Sequence, residues 1–343
     1  MEIRIIQLNN SIERSKIESF LKAQGLNLER DTEYTIALYE DNNIIGTGSI
    51  AGRVLKSIAV DPNYQGEGLT NKIVSLLVNE QYYRGNTHLF IYTKPENVSI
   101  FRDVGFYEIQ TVKDKVSLLE NDPNGISRYL DNLKQYKKYG KTISSIVMNC
   151  NPFTLGHQYL IERASSDSDF VHIFIVWEDK SLFPPEVRFN LIKEGTRHLH
   201  NVMVHRGEDY IISNSTFPSY FLKEKSNIVK IHTLLDLSIF GNYIGPSLGI
   251  NRRYIGEEPY CPVTSEYNET MKSILPEYGI EVIETSRLRN KDTIISASKV
   301  REIIKRGELE ELKNLIPMVT YDFLVSEEGR EIIDKIKESN SRH

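Results

Sequence analysis

Ile146-Val147-Met148-Asn149-Cys150-Asn151-Pro152-Phe153-Thr154-Leu155-Gly156-His157 is the stretch on which the reading of this chain turns. An apolar strand ends, a proline-containing turn follows, and a helix opens at a Gly-His pair. A helix start in that place presents free backbone N–H groups and the positive end of the helix dipole, which together make an anion site. Thr154 and His157 stand three residues apart across Gly156, so both side chains can reach one bound phosphate. Gly156 lacks a Cβ and lets a nucleotide come close to the backbone. A capped helix with a structural histidine has the same local sequence, so the motif needs its surroundings.

Those surroundings alternate strand and helix. Strands are predicted at 143–148, 170–176, 202–205, 228–233 and 281–283, with helices at 157–165 and 185–198. That rhythm implies a parallel sheet covered on both faces, with ligands at the carboxyl ends of the strands. Lys180 and Arg188 follow the second strand on that edge and are candidates for neutralising phosphate, with a solvated surface cation the even alternative. Glu257 and Glu258 follow Gly256 at a strand end, where ribose or magnesium contact and a solvated loop are equally open. Tyr220 and Phe221 read as packing.

Near the far end, Ile295-Ser296-Ala297-Ser298-Lys299-Val300-Arg301 enters a second helix. Two hydroxyls, a lysine and an arginine at a helix start offer a polyphosphate charge-assisted donors and backbone amides. Ser-x-Ser alone is an ordinary N-cap. Paired with the first turn in an α/β domain, it becomes a nucleoside-triphosphate site.

The first third of the chain is α+β. Strands are predicted at 34–38, 44–50, 55–60 and 88–93, with a turn at Asp41-Asn42-Asn43. Ile73, Val74, Leu77 and Val78 give 71–83 the spacing of an amphipathic helix, and a further helix is predicted at 97–104. The turn Val60-Asp61-Pro62-Asn63-Tyr64-Gln65-Gly66-Glu67-Gly68-Leu69-Thr70 joins strand to helix, and its successive amides can cradle a pyrophosphate. At 121–125 a loop cluster interrupts the pattern and a polar helix follows over 126–138. The predicted organisation is a domain over 1–118, a linker with connecting helix over 119–140, a second domain over 141–325, and a charged C-terminal helix over 326–343, taken as a solvated cap.

Size and charge agree with this division. The chain has 343 residues, 40% of them hydrophobic, enough for two cores. Its 42 basic and 47 acidic residues give a net charge of -5, which argues against a general nucleic-acid or anionic-membrane binder. Two cysteines, Cys150 and Cys261, cannot build a disulfide framework. Cys150 lies in the decisive turn and reads as buried packing, not as a nucleophile. No signal-peptide or membrane-spanning pattern is present, so a cytoplasmic protein is expected. No protein-borne metal site is expected.

Residues 151–157 resemble the first signature of the HxGH nucleotidylyltransferase superfamily, with Thr154 in place of the first histidine. That leaves His157 as the charged or switchable donor. Residues 295–301 resemble the Ile-Ser-Ser-Thr type signature of the same superfamily, with Ala297 at a serine position. Gln65-Gly66-Glu67-Gly68-Leu69-Thr70 is similar to the acyl-CoA loop of the GNAT acetyltransferases, although Thr70 stands where that family has a small residue. Phe101-Arg102-Asp103-Val104-Gly105-Phe106 resembles the later helix and Gly-Phe turn of that fold.

The fold class is therefore α/β: a GNAT-like α+β domain followed by a Rossmann-like parallel α/β domain. That order resembles the citrate lyase ligase family. Glu178-Asp179-Lys180-Ser181-Leu182-Phe183-Pro184, Ser215-Thr216-Phe217-Pro218-Ser219-Tyr220-Phe221 and residues 254–264 add to the match. The resemblance implies an acid–thiol ligase that uses ATP, with Mg2+, and acetate. The acceptor it implies is the thiol of a CoA-derived prosthetic group on the citrate lyase acyl-carrier subunit. Acetyl-adenylate is the implied intermediate, AMP and pyrophosphate are released, and neither nucleic acid nor membrane takes part. It implies a catalytic role for His157, Thr154 and Lys180. Phosphate binding falls to Asn151, Phe153, Gly156, Arg188, Ser296, Ser298 and Arg301, and the CoA-like arm to Gln65, Gly66 and Gly68. Two other readings stay open: an adenylyltransferase for a phosphorylated metabolite such as phosphopantetheine, and a non-catalytic CoA- or nucleotide-sensing regulator.

Overall fold

Apolar residues recurring at strand and helix periods build a seven-stranded and a five-stranded sheet, beside a two-stranded ribbon of Arg289–Asn290 with Thr293–Ile294, in the computed structural model, which describes residues 1–177, 180–212, 217–222, 228–290 and 293–339. The first unit takes Met1–Tyr129 together with Phe217–Ser238, and the second takes Leu130–Thr216 with Ile239–His343.

The first unit contains β1 (Glu2–Ile5), α1 (Ser11–Ala23), β2 (Tyr34–Glu40), β3 (Asn43–Ala51), β4 (Val54–Val60), α2 (Leu69–Tyr83), β5 (Phe90–Thr93), α3 (Val98–Arg102), β6 (Tyr107–Val112) and β7 (Val116–Glu120). The strands lie in the order β1-β2-β3-β4-β5-β7-β6, and β4 with β5 is the parallel pair. Asp41 and Asn42 both adopt positive φ, 48° and 64°, the two-residue hairpin turn whose twist suits β2 and β3. Ile73, Val74 and Leu77 of α2 are buried in the sheet's core. Gly48 makes that approach possible, because a Cβ there would stand 2.5 Å from Ile73.

From α4 (Gly125–Lys134) the chain enters the second unit: β8 (Ile143–Met148), α5 (Leu155–Ser166), β9 (Phe170–Ile175), α6 (Pro185–Gly195) and β10 (Val202–Arg206). After α7 (Ile228–Ile239) come α8 (Gly245–Leu248), β11 (Arg252–Gly256), α9 (Pro262–Ile274), β12 (Glu281–Thr285), α10 (Ala297–Arg306), α11 (Met318–Val325) and α12 (Glu327–Glu338). The five strands are all parallel, in the order β10-β9-β8-β11-β12. β9 is buried along its whole length, as expected of a parallel strand covered on both faces. It carries His172, whose Nδ1 lies 2.9 Å from Nε2 of His205 on β10. Burial pulls the pKa of His172 down to about 3 and that of His205 to about 4, so both rings are neutral.

Two expectations need correction. Residues 228–233 are not a strand: they open α7, and Ile231, Leu235 and Ile239 recur at four-residue spacing on its buried side. A short apolar run does not distinguish strand from helix, and the next turn of sequence settles it. The strand needed to complete the sheet is β11. The C-terminal helix is not a solvated cap either, since Ile332, Ile333 and Ile336 of α12 belong to the core of the second unit. Among the described residues no helix is long and apolar enough to cross a membrane.

From β8 the chain builds outward through β9 to β10, then restarts on the other side of β8 with β11 and β12. The crevice at the carboxyl ends of β8 and β11 is thus the switch point where open α/β sheets take their ligands.

Candidate functional site

The turn leaving β8 reaches that crevice and is held from several sides. Cys150 is buried with φ 54°, and burial pushes its thiol far above the ordinary range, which removes it as a nucleophile. The Asn151–Pro152 peptide is cis. The Asn151 side-chain carbonyl accepts the Phe183 N–H at 3.0 Å. Phe153 is fully buried, and Gly195 leaves room for its ring, since a Cβ there would stand 2.5 Å away.

Thr154 caps α5 from a buried position. Its hydroxyl accepts the His157 N–H at 3.4 Å, while the Thr154 N–H donates to His157 Nδ1 at 3.1 Å. This reciprocal capping box fixes the imidazole. Because Nδ1 accepts a hydrogen bond from the Thr154 N–H, the neutral ring carries its hydrogen on Nε2. Burial and the positive charge of Arg287 lower the His157 pKa to about 4. The ring, half-buried and stacked at 12° on Phe153, therefore presents a neutral Nε2–H donor. The expectation of a charged or switchable histidine is corrected by this environment. Thr154 thereby contacts the His157 ring and its backbone N–H.

Gly156 has a different close neighbour from the one expected. A Cβ there would lie 3.2 Å from the backbone carbonyl of Ile295, so the missing side chain admits the second signature of the same chain. A further tie comes from Arg301 on α10, whose guanidinium donates to the Asn151 carbonyl and, at 3.4 Å, to the Ser298 hydroxyl. Burial pulls the Arg301 pKa below its ordinary value. Ser296 caps α10 by accepting the Lys299 N–H at 3.2 Å, and Ser298 is exposed. The two signatures, about 140 residues apart in sequence, thereby form one surface with two helix N-termini.

The cations separate into two kinds. Arg188 is fully buried and donates to the backbone carbonyls of Phe183 and Asn149, both at 2.9 Å, and of Val176 at 2.7 Å. These bonds tie the loops after β8 and β9 together. Lys180 is exposed beside the same loops. Arg287, beyond the end of β12, was not anticipated. It pairs with the Glu258 carboxylate at 2.5 Å and donates to the Glu257 carbonyl, and its charge acts on His157. The rule that singled out Lys180, a cation just past a strand end, would have found it. Glu258 is committed further, accepting the N–H groups of Tyr260 and Cys261 at 3.1 Å each. Among the described residues no group of three or more His, Cys, Asp or Glu side chains is placed to hold a metal.

In the first unit, Gln65, Gly66 and Gly68 form an exposed turn ahead of α2, with φ 88° at Gly66 and 74° at Gly68. Nothing lies within 4 Å of a Cβ built on either glycine. Tyr220 and Phe221 are buried. Residues Glu178, Asp179, Ser215 and Thr216 of the quoted segments lie outside the described residues.

Two family models match the chain. One, a citrate lyase ligase C-terminal domain, covers residues 143–324, and the other, an acetyltransferase (GNAT) domain, covers residues 10–117. The chain is 40% identical over 326 residues to a [citrate [pro-3S]-lyase] ligase of Klebsiella pneumoniae, covering 94% of this chain and 95% of that protein. It is 41% identical over 315 residues to the protein of the same name from Escherichia coli K12, covering 90% of each. A phosphopantetheine adenylyltransferase of Rhodopirellula baltica is 48% identical over 56 residues, 16% of this chain and 31% of that protein.

Proposed function

The chain belongs to the citrate lyase ligase family, and from that premise we propose that it uses ATP and acetate to acetylate a thiol on the acyl-carrier subunit of citrate lyase. The thiol is that of a CoA-derived prosthetic group, and its acetylation activates the lyase. The observation that carries this reading is the joining of the two signature segments, through Gly156 against Ile295 and Arg301 on Asn151, beside a neutral His157 donor.

An acetate oxygen attacks the α-phosphorus of ATP. The bond from that phosphorus to the bridging oxygen breaks, and pyrophosphate departs with the electron pair. The thiol, its proton lost to solvent, then adds as thiolate to the acyl carbon, the acyl C–O bond breaks, and AMP leaves carrying the oxygen that acetate supplied. His157 Nε2–H donates to an α-phosphate oxygen, and stabilises the charge that builds in the pentacoordinate transition state. The starts of α5 and α10 supply backbone N–H groups and dipole. Ser296 and Ser298 meet the departing phosphates, with Lys180 and Arg287 as the neighbouring cations. Thr154, Asn151, Phe153, Arg188 and Arg301 keep these donors aligned, which is where positioning contributes to rate. Magnesium enters with the triphosphate as part of the substrate. Gln65, Gly66 and Gly68 receive the phosphates of the CoA-like arm. Cys150 and Cys261, both free thiols, suit a reducing cytoplasm.

The test is pyrophosphate release from ATP with either acetate or phosphopantetheine as acceptor. Strict dependence on acetate is expected. Turnover with phosphopantetheine and none with acetate overturns the reading, and ATP binding without any release favours a sensor.

A further inference from the structure

β4 and β5 run side by side, yet their pairing covers only Val54 with Phe90 and Leu55 with Ile91. β4 continues to Val60 and β5 to Thr93, so beyond Leu55 the two strands part. Ser57, with φ 52°, turns the backbone of β4 just past that point. Neighbouring parallel strands normally bond each other's N–H and C=O groups, and a split leaves those groups in want of partners.

Here one side chain meets both sides. The Tyr220 hydroxyl donates to the Tyr92 carbonyl on β5 at 2.7 Å and accepts the backbone N–H of Ser57 on β4. Tyr220 is only 5% exposed, and burial keeps its phenol protonated. Its own segment is anchored on the same unit. The Tyr220 carbonyl accepts the Asn27 N–H at 2.9 Å. The Ser219 N–H and hydroxyl donate to one oxygen of Glu29, at 2.6 and 2.8 Å. The other Glu29 oxygen pairs at 2.9 Å with Lys56 of β4, itself 1% exposed. Phe217 meets Tyr92 edge-on at 5.6 Å.

An amide-bearing arm that entered between separated strands would bond to those same strand-edge groups. We infer that Tyr220 is a stopper: it closes the β4–β5 split, so that the first unit admits no acyl thioester or thiol arm there. Resting on the reading of the Gly-rich turn as the arm's phosphate site, this leaves the arm held by its phosphate end alone, with its thiol outside the first unit. The GNAT-like unit is then a recognition element with no acyl transfer of its own.

Hydrogen exchange on the full-length chain, with and without coenzyme A, tests this. In the native protein coenzyme A is expected to slow exchange around residues 65–69 and to leave 54–60 and 90–93 unchanged. Tyr220→Gly is expected to open the split, so that coenzyme A now slows exchange in both strands by about tenfold or more. Slowed exchange in both strands of the native protein overturns the proposal, as does an absence of any strand response in Tyr220→Gly. Should Tyr220→Gly not fold, Tyr220→Phe keeps the ring and loses both hydrogen bonds. Faster exchange at Ser57 by about fivefold is then expected, and an unchanged rate overturns the proposal. Acetate-dependent pyrophosphate release is read separately, so failure of the adenylation reading is distinguishable from failure here.

Discussion

Two helix starts in this chain, those of α5 and α2, are built in opposite ways. At α5 the surrounding groups are fixed: Thr154 caps, Phe153 stacks, Leu155 N–H donates to Leu315, and Arg301 and Arg188 brace the loops. At α2 the N-cap is Gly68, which makes no side-chain cap bond, and a Cβ built on Gly66 or Gly68 would meet nothing within 4 Å. Stabilising a transition state requires donors that do not reorganise when charge develops, which is the property of the first. Capturing a ligand by its phosphates requires only accessible amides, which is the property of the second. The comparison separates a braced helix start from an open one within one chain, and under the proposed function these are the chemical centre and the docking turn.

The largest effect that could break this contrast is at His157. Removing its Nε2–H in His157→Ala is expected to slow acetate-dependent pyrophosphate release by roughly 10²–10³-fold, as loss of one transition-state donor does. Turnover at the native rate would show that α5 is not the chemical centre. Next comes Arg188→Met, which orphans the carbonyls of Phe183, Asn149 and Val176. A loss of about 3 kcal/mol in denaturant unfolding is expected, because a buried acceptor without a donor is costly. An unfolding midpoint equal to the native one would refute the bracing role.

The third prediction concerns pH. His157, His172 and His205 have pKa values below the ordinary 6.5, so the folded chain binds fewer protons than the unfolded chain between pH 6.5 and about 3. Their contribution to stability is complete above pH 6.5 and is lost as pH falls through that interval. Thermal unfolding followed from pH 8 to pH 4 checks the sign, and His172→Gln should flatten the decline. The smallest effect is at the docking turn. Gly68→Ala forces a side chain onto φ 74°, a strain of about 1 kcal/mol. It should weaken transfer to the carrier severalfold while leaving pyrophosphate release unchanged; an equal loss in both would merge the two regions.

How much of this was legible beforehand depends on what a residue type alone conveys. Strand and helix periods exposed most of both sheets, and the Gly-His pair and Ser-x-Ser-Lys segment marked the starts of α5 and α10. The sequence pattern could not say whether a cation faces water, so it did not show that Arg188 and Arg301 are buried and bonded to backbone carbonyls. Nor could it say what fills the space beside Gly156, which the Ile295 carbonyl occupies. The segment 228–233 misled because six residues are too few to distinguish the two periods. Arg287 was missed although its position past a strand end followed the rule applied to Lys180.

The placement of Phe217–Ser238 within the first unit bears on how the protein is made. Synthesis proceeds at about 5–20 residues per second, so several seconds separate the emergence of Tyr129 from that of Phe217. During that interval the groups that Tyr220 and Ser219 later satisfy, on Tyr92, Asn27 and Glu29, are present without those partners. The N-terminal unit is therefore finished late, after much of the parallel sheet has been translated. A ribosome pause between residues 130 and 216 would prolong an incomplete first unit, and a gene cut at the apparent domain boundary would never complete it.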